Sequence, residues 1–241
     1  MKRVVIYWLF LSVFIQSCHK HLVKTKTDFN YVDLQQTEAS IVLTDSIKRY
    51  KTIVDHETSK VIAIADNPLT KTGNENTLGN FVCDAMEQVC LQQYKIKPDI
   101  TLVNRGGLRV ELPKGEIKKL HLFELMPFEN QLVVFSITGK QLMEVIALIK
   151  EYKHSFKGMR LDFTTNEEVI LINELKLDTT AIYKLLTSDY IAEGGDNFKM
   201  FGKPSYLNSD KIKLREALIQ YCIFLNEQNK HIIPYTDGRY K

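Results

Sequence analysis

The sequence predicts an α/β domain with mixed β-sheets and packed helices. Three observations carry that prediction. Segments with helical apolar spacing are interspersed with apolar runs of strand length, the order shows no regular βαβ alternation, and glycine-containing turns follow two of the short runs. The composition agrees with a folded body: 241 residues, 44% apolar and 25% charged, allow one good core or two small ones.

In chain order, residues 41–57 read as a helix and 60–66 as a short buried strand, followed by a polar loop through Pro68, Gly73 and Asn74. A second helix starts near Leu78 and runs to about Tyr94, with Phe81, Val82, Ala85, Met86 and Val89 on one wide apolar face. Pro98 marks its end. Residues 100–103 form an apolar strand leading into Asn104-Arg105-Gly106-Gly107-Leu108-Arg109, and a second turn follows at 113–115. Residues 131–138 alternate as a strand, Gly139 breaks it, and 140–152 is amphipathic through Leu142, Val145, Ile146 and Ile149. Further strands fall at 169–175 and 181–188. A last helix, from about 210 to 227 and capped by Ser209 or Asp210, carries Leu214, Leu218, Tyr221, Cys222 and Leu225.

The first residues have a different character. Lys2 and Arg3 precede an apolar stretch at 4–15, then Gln16, Ser17 and Cys18. That stretch is short of the ~20 residues needed to span a bilayer, but it has the layout of a secretory signal. Ile15-Gln16-Ser17-Cys18 resembles a bacterial lipobox, with Gln16 a looser fit than the usual small residue. The reading is a lipoprotein signal peptide over 1–17, lipidation at Cys18, a polar tether over 18–40 and a folded domain over 41–241. An uncleaved anchor, or an ordinary signal with an incidental cysteine, is the alternative. The formal charge of +3 includes Lys2 and Arg3, so a processed chain carries about +1, far from the basic face of a nucleic-acid binder. Cys83 and Cys90, seven apart on a helix, stand about 10 Å apart along its axis, which excludes an undistorted disulfide. With Cys222 they read as buried free thiols.

Two turns are candidates for chemistry. Asn104-x-Gly-Gly-x-Arg109 places glycines where backbone can approach a ligand closely, and a guanidinium just beyond offers a planar fork to phosphate or carboxylate. A tight turn with a solvated Arg109 accounts for the same pattern. Glu193-Gly194-Gly195-Asp196-Asn197-Phe198 reads as a sharp turn holding Asp196 at its tip, since Asn197 is among the few residue types that accept positive φ.

Five segments, in order, resemble the C-terminal domain of the 5′-nucleotidase family: Asn76-Thr77-Leu78-Gly79-Asn80 leading to Asp84-Ala85-Met86, Asn104 to Arg109, Pro127-Phe128-Glu129-Asn130, Gly158-Met159-Arg160, and Gly194 to Phe198. Pro234 with Asp237-Gly238-Arg239 resembles its closing segment, so the similarity runs from about 44 to 239. The resemblance implies a base held between two rings, here Phe128 and Tyr190, with Asn130 and Gly158 reaching its edge, Asp196 at the ribose hydroxyls, and Asn104 with Arg109 on the phosphate side. Two rings hold a purine with little demand on which purine, because every base has a π-face. Taken singly, either ring reads more readily as a core aromatic, and it is its place inside a matched motif that points to the ligand. The sequence also departs from the family, which often has an arginine where Asn74 stands; its grip on phosphate is then weaker or falls to Lys71. Tyr190 replaces a phenylalanine of the animal enzymes and adds a hydroxyl.

Full-length members begin with a metallophosphatase domain marked by Asp-x-His, Gly-Asp and Gly-Asn-His-Glu, and a two-metal centre needs such clustered ligands to activate water. Neither Asp-x-His nor Gly-Asn-His-Glu occurs in this sequence, and its single Gly-Asp, Gly195-Asp196, belongs to the glycine turn at 193–198; its six histidines are scattered, and His121 and His231 read as surface or satisfied residues. The expectation is therefore no catalytic residue, metal site or cofactor in this chain. A nucleotide or nucleoside monophosphate is its ligand, and a separate metallophosphatase subunit with two divalent metal ions supplies the hydrolysis. A membrane is reached through the lipid anchor, on the periplasmic or outer-membrane face, and nucleic acid is no partner. The alternatives are a non-catalytic nucleotide- or nucleoside-binding surface lipoprotein, and a scaffold that has lost its ligand.

Overall fold

Helical and extended segments follow one another as α1 (Ile41–Thr58), β1 (Val61–Ala65), α2 (Thr77–Val89), β2 (Ile100–Val103), β3 (Gly115–Lys118), α3 (Lys119–Leu125), β4 (Leu132–Thr138) and α4 (Gly139–Tyr152). The chain continues through β5 (Ser155–Lys157), β6 (Met159–Asp162), β7 (Val169–Ile172), β8 (Leu175–Lys176), β9 (Ile182–Ser188), α5 (Asp189–Ala192) and α6 (Leu214–Glu227). This computed structural model describes residues 41–164 and 168–241. The expected signal peptide, Cys18 and the tether lie outside them. Ser46–Lys241 form one compact unit.

Its centre is a four-stranded sheet in the order β4-β9-β2-β5. β9 runs parallel to β2 and antiparallel to β4, and β5 is antiparallel to β2. Successive side chains of a strand point to opposite faces, so an apolar run without polar interruption must be covered on both sides. On one face Val103, Leu132, Val134 and Leu186 join a core with α2, α6, β1 and β3. On the other, Ile100, Leu102, Val133, Phe135, Ile137 and Leu185 pack with α4. β1 pairs with β3, and β6, β7 and β8 form a separate antiparallel sheet.

α2 forms where its sequence pattern places it because Asn76 caps it, the side chain accepting from Gly79 N at 2.8 Å. Its apolar face is fully covered: Leu78, Phe81, Val82, Ala85, Met86 and Val89 are all buried, each of the larger ones worth about 1.5–3 kcal/mol over an exposed side chain. Asn80 donates to Glu75 and to the carbonyl of Tyr235. Arg239, buried at the other end of the chain, donates to the carbonyl of Phe156 and to Asp237. The Asn76–Asn80 motif and the closing Asp237-Gly238-Arg239 thus clip the chain together.

Several expectations need correction. The turn at 113–115 opens directly into β3 and α3, which have too few residues to show a period. α6 begins at Leu214, because Gln131 bridges Lys213 and Leu132 N donates to Ile212 O, holding residues 212–213 extended beside β4. The run at 169–175 is a hairpin, broken at Asn173 and Glu174, both at positive φ. Cys83, Cys90 and Cys222 are buried free thiols, as expected, and burial pushes each up to about 12.

Candidate functional site

Topology alone decides which motifs can meet. β2 and β9 are parallel neighbours, so their carboxyl ends share one edge of the sheet. β4, antiparallel to β9 with Leu132 opposite Ser188, begins at that edge, and so does β5, with Ser155 opposite Val103. The turn after β2, the loop before β4, the turn after β9 and the residues before β5 therefore converge. Ligands of open α/β sheets commonly bind outside the carboxyl ends of such strands.

Asn104, Arg109, Phe128, Asn130, Tyr190 and Asp196 line one hollow at this edge, of about 250 Å³. Phe128 and Tyr190 are 40% and 43% exposed, far too open for core aromatics. Asp196, at φ +46°, accepts from the Tyr190 hydroxyl at Oδ1 (2.8 Å) and from Asn104 Nδ2 at Oδ2 (2.6 Å). The hydrogen bond to this carboxylate raises the Tyr190 phenol pKa, since only the protonated phenol can donate it, and burial and the carboxylate's charge add to the rise. The Tyr190 ring lies flat on Gly195, where a Cβ would come within 2.5 Å of it. A side chain there would push the ring aside.

The two ring-bearing segments are cross-tied. Gln131 N donates to Asp189 Oδ1 (3.0 Å) and Asp189 N donates to Gln131 O (2.9 Å), so the residues next to Phe128's loop and to Tyr190 share a frame. Arg215, buried on α6, donates to the carbonyls of Met126 and Phe128 and to Glu129. Lys213 also pairs with Glu129, and these two cations, Lys213 first, hold its carboxyl down at about 2. The Arg109 guanidinium stands 5.8 Å from the Phe128 ring centroid and donates to Gly106 O.

Gly158 does not join this group. β5 runs antiparallel to β2, so the segment after Lys157 emerges at the opposite end of the sheet. Its glycine is required by the backbone, for φ is +86° and a Cβ would lie 2.0 Å from Asp99 O. Two neighbours of the hollow carry no signal in the sequence. His154, only 3% exposed, lies between the rings of Tyr152 and Phe198 and accepts from Arg105 N at Nδ1. Burial pushes its pKa down to about 4, against the opposing charge of Asp196. A lone histidine after a helix shows nothing of this until β5 is paired. His121 accepts from Lys118 N and His231 pairs with Asp66. Among the described residues no group of three or more His, Cys, Asp or Glu side chains is arranged to hold a metal ion, and no step is assigned to one here. No helix of the described residues is long and apolar enough to cross a membrane.

A mixed sheet with three loops converging on two exposed rings and a carboxylate defines a small-molecule recognition domain. Residues 56–203, more than half of the chain, match the family described as 5′-nucleotidase, C-terminal domain, and the chain belongs to that family. The 5′-nucleotidase precursor of Thermus thermophilus has the same fold, with a TM-score of 0.69 and 23% identity over 83% of this chain and 43% of that one. Endonuclease YhcR of Bacillus subtilis is 31% identical over 139 residues, 56% of this chain and 11% of its own length. The trifunctional nucleotide phosphoesterase protein YfkN of the same organism is 26% identical over 188 residues, 69% of this chain and 12% of its own length. The chain thus spans only a small part of these two relatives.

Proposed function

We propose that this chain is the nucleotide-recognition component of a 5′-nucleotidase, with the metallophosphatase and its two divalent metal ions on a separate polypeptide. The observation that carries the reading is the single hollow that gathers two exposed rings, a carboxylate, two amides and a guanidinium. Phe128 and Tyr190 stack on the base, and Asn130 offers its amide to the base edge. Asp196 is held by Tyr190 and Asn104 with one bond to each oxygen, which leaves each oxygen a further lone pair for a ribose hydroxyl. Arg109 supplies a cation at the Phe128 wall. The nucleotide activities printed in the names of YfkN and the Thermus enzyme agree with this substrate class. In this reading the chain is exported and held on a bacterial membrane by a lipid at Cys18.

Titration calorimetry of the full chain with nucleosides and nucleoside monophosphates tests the recognition role, with Phe128→Ala as control. Absence of binding at millimolar ligand, or an unaffected Phe128→Ala, refutes it. A phosphatase assay with added divalent metal tests the division of labour: the pure chain should be inactive and gain turnover only with a metallophosphatase polypeptide.

A further inference from the structure

Two turns must meet for the carboxylate of Asp196 to be held as it is. Asn104, in the turn after β2, donates to Asp196 Oδ2 at 2.6 Å, and Asp196 belongs to the turn after β9. That second turn is strained. Asp196 and Asn197 stand side by side at φ +46° and +70°, a left-handed pair that residues other than glycine keep only where their surroundings hold them.

His154 is placed to hold both turns. Its Nδ1 accepts from Arg105 N at 3.2 Å, the amide of the peptide unit that follows Asn104, so this bond sets the direction in which the chain leaves β2. On the other side, the ring of Phe198, two residues past Asp196, lies with its centroid 5.4 Å from that of His154. The Tyr152 ring stacks on His154 at 5.7 Å, and its hydroxyl stands 3.5 Å from Asn197 Nδ2. Both residues that follow Asp196 therefore touch the Tyr152–His154 pair.

Packing alone does not account for a histidine here. A ring that accepts at Nδ1 is neutral and carries its proton on Nε2, and Nε2 is buried with no acceptor among the described residues. An apolar side chain would avoid the cost of that buried donor, but it would leave Arg105 N without its acceptor.

We propose that His154 is a positioning residue for the sugar end of the site: by bonding Arg105 N and packing on Phe198, it brings the two turns into the arrangement in which Asn104 and Asp196 meet. The inference rests on the reading of Asp196 as the ribose contact. His154 acts through that carboxylate and needs no contact of its own with the ligand.

Calorimetry of the full chain with a ribonucleoside and its deoxy counterpart tests this on wild type, His154→Asn, His154→Leu, Asp196→Asn and the double variant of the last two. Asparagine keeps an acceptor near the place of Nδ1 and should bind the ribonucleoside within about threefold of wild type. Leucine removes the acceptor, and should cost the ribonucleoside about five- to tenfold but the deoxy counterpart less than about threefold. Because the loss passes through Asp196, the double variant should bind no more than about twofold worse than Asp196→Asn alone. An unchanged preference for ribose in His154→Leu overturns the inference, as do full additivity of the two changes or an equal loss in His154→Asn.

NMR decides apart from ligand binding. Wild-type His154 should show the Nε2–H tautomer at pH 7, a test that stands even if His154→Leu does not fold. The Asn104 side-chain amide should keep its wild-type shift in His154→Asn and lose it in His154→Leu. The Nδ1–H tautomer, or an Asn104 amide that stays in place in His154→Leu, removes His154 from this role. If wild type binds no nucleoside while these signals follow expectation, the ribose reading has failed and the brace between the turns stands.

Discussion

The Tyr190 hydroxyl donates to Asp196 Oδ1 at 2.8 Å, so one ring of the proposed base site also orients the carboxylate proposed for the ribose. The ring and the hydroxyl can be tested apart. Tyr190→Phe keeps the stacking face and should change nucleoside affinity by less than about threefold. Tyr190→Ala removes stacking worth about 1–3 kcal/mol, or roughly 5- to 150-fold in affinity. Equal losses in the two variants, measured by calorimetry, would show that the hydroxyl rather than the ring holds the ligand.

Asp196→Asn is well suited to test the sugar contact, because asparagine tolerates the left-handed backbone at this position. The variant should fold normally and bind a ribonucleoside about five- to tenfold more weakly, on the order of one hydrogen bond. The deoxy counterpart should lose less. Identical losses for the two sugars would remove Asp196 from the ribose.

Gly158→Ala asks whether that glycine serves the ligand or the backbone. With φ at +86° and Asp99 O within 2.0 Å of the new Cβ, stability should drop by about 1–3 kcal/mol or more in urea denaturation. Nucleoside affinity of the folded fraction should stay within about twofold of wild type. A tight fold with lost affinity would restore Gly158 to the ligand.

How far the sequence reaches is visible in the contrast between Gly158 and His154. Apolar periodicity places β2, β4, α4 and β9 almost to the residue, and α2 with the π-helical turn Cys90–Tyr94 that continues it, since each buries a long enough face to leave a pattern. The motif order brings six of seven predicted site residues into one hollow, because loops at one sheet edge carry the matched segments. Which edge a segment reaches depends on strand direction, and β5 has three residues, too few to reveal its pairing. That is why Gly158, at its far end, is misplaced, and why His154 and Tyr152, at its near end, are invisible. β3 and α3 escape for the same reason of length.

His154 should make stability depend on pH. Its folded-state pKa is about 4 against the usual 6.5, so between these values the unfolded chain binds more protons and folding weakens as pH falls. The loss begins near pH 6.5 and is complete below about 4, on the order of 3 kcal/mol in total. His154→Gln removes that titration. Urea midpoints at pH 7 and 4.5 should therefore fall further for wild type than for the variant; parallel falls would mean that His154 does not titrate as its burial requires.

Cys18→Ala tests the proposed anchor. The variant should appear as a soluble or unprocessed exported form, whereas wild type partitions with membranes through two or more acyl chains. Unchanged membrane retention together with unchanged processing would end the lipoprotein reading.

The reciprocal bonds between Gln131 and Asp189 carry a kinetic consequence. Both rings stand on a frame assembled before any ligand arrives, so little conformational entropy remains to be lost on association. Capture should then be a single bimolecular event, its observed rate climbing in proportion to ligand concentration without the plateau that a slow closing step would impose. Loosening that frame with Asp189→Ala would slow arrival and hasten departure even though neither ring has been altered.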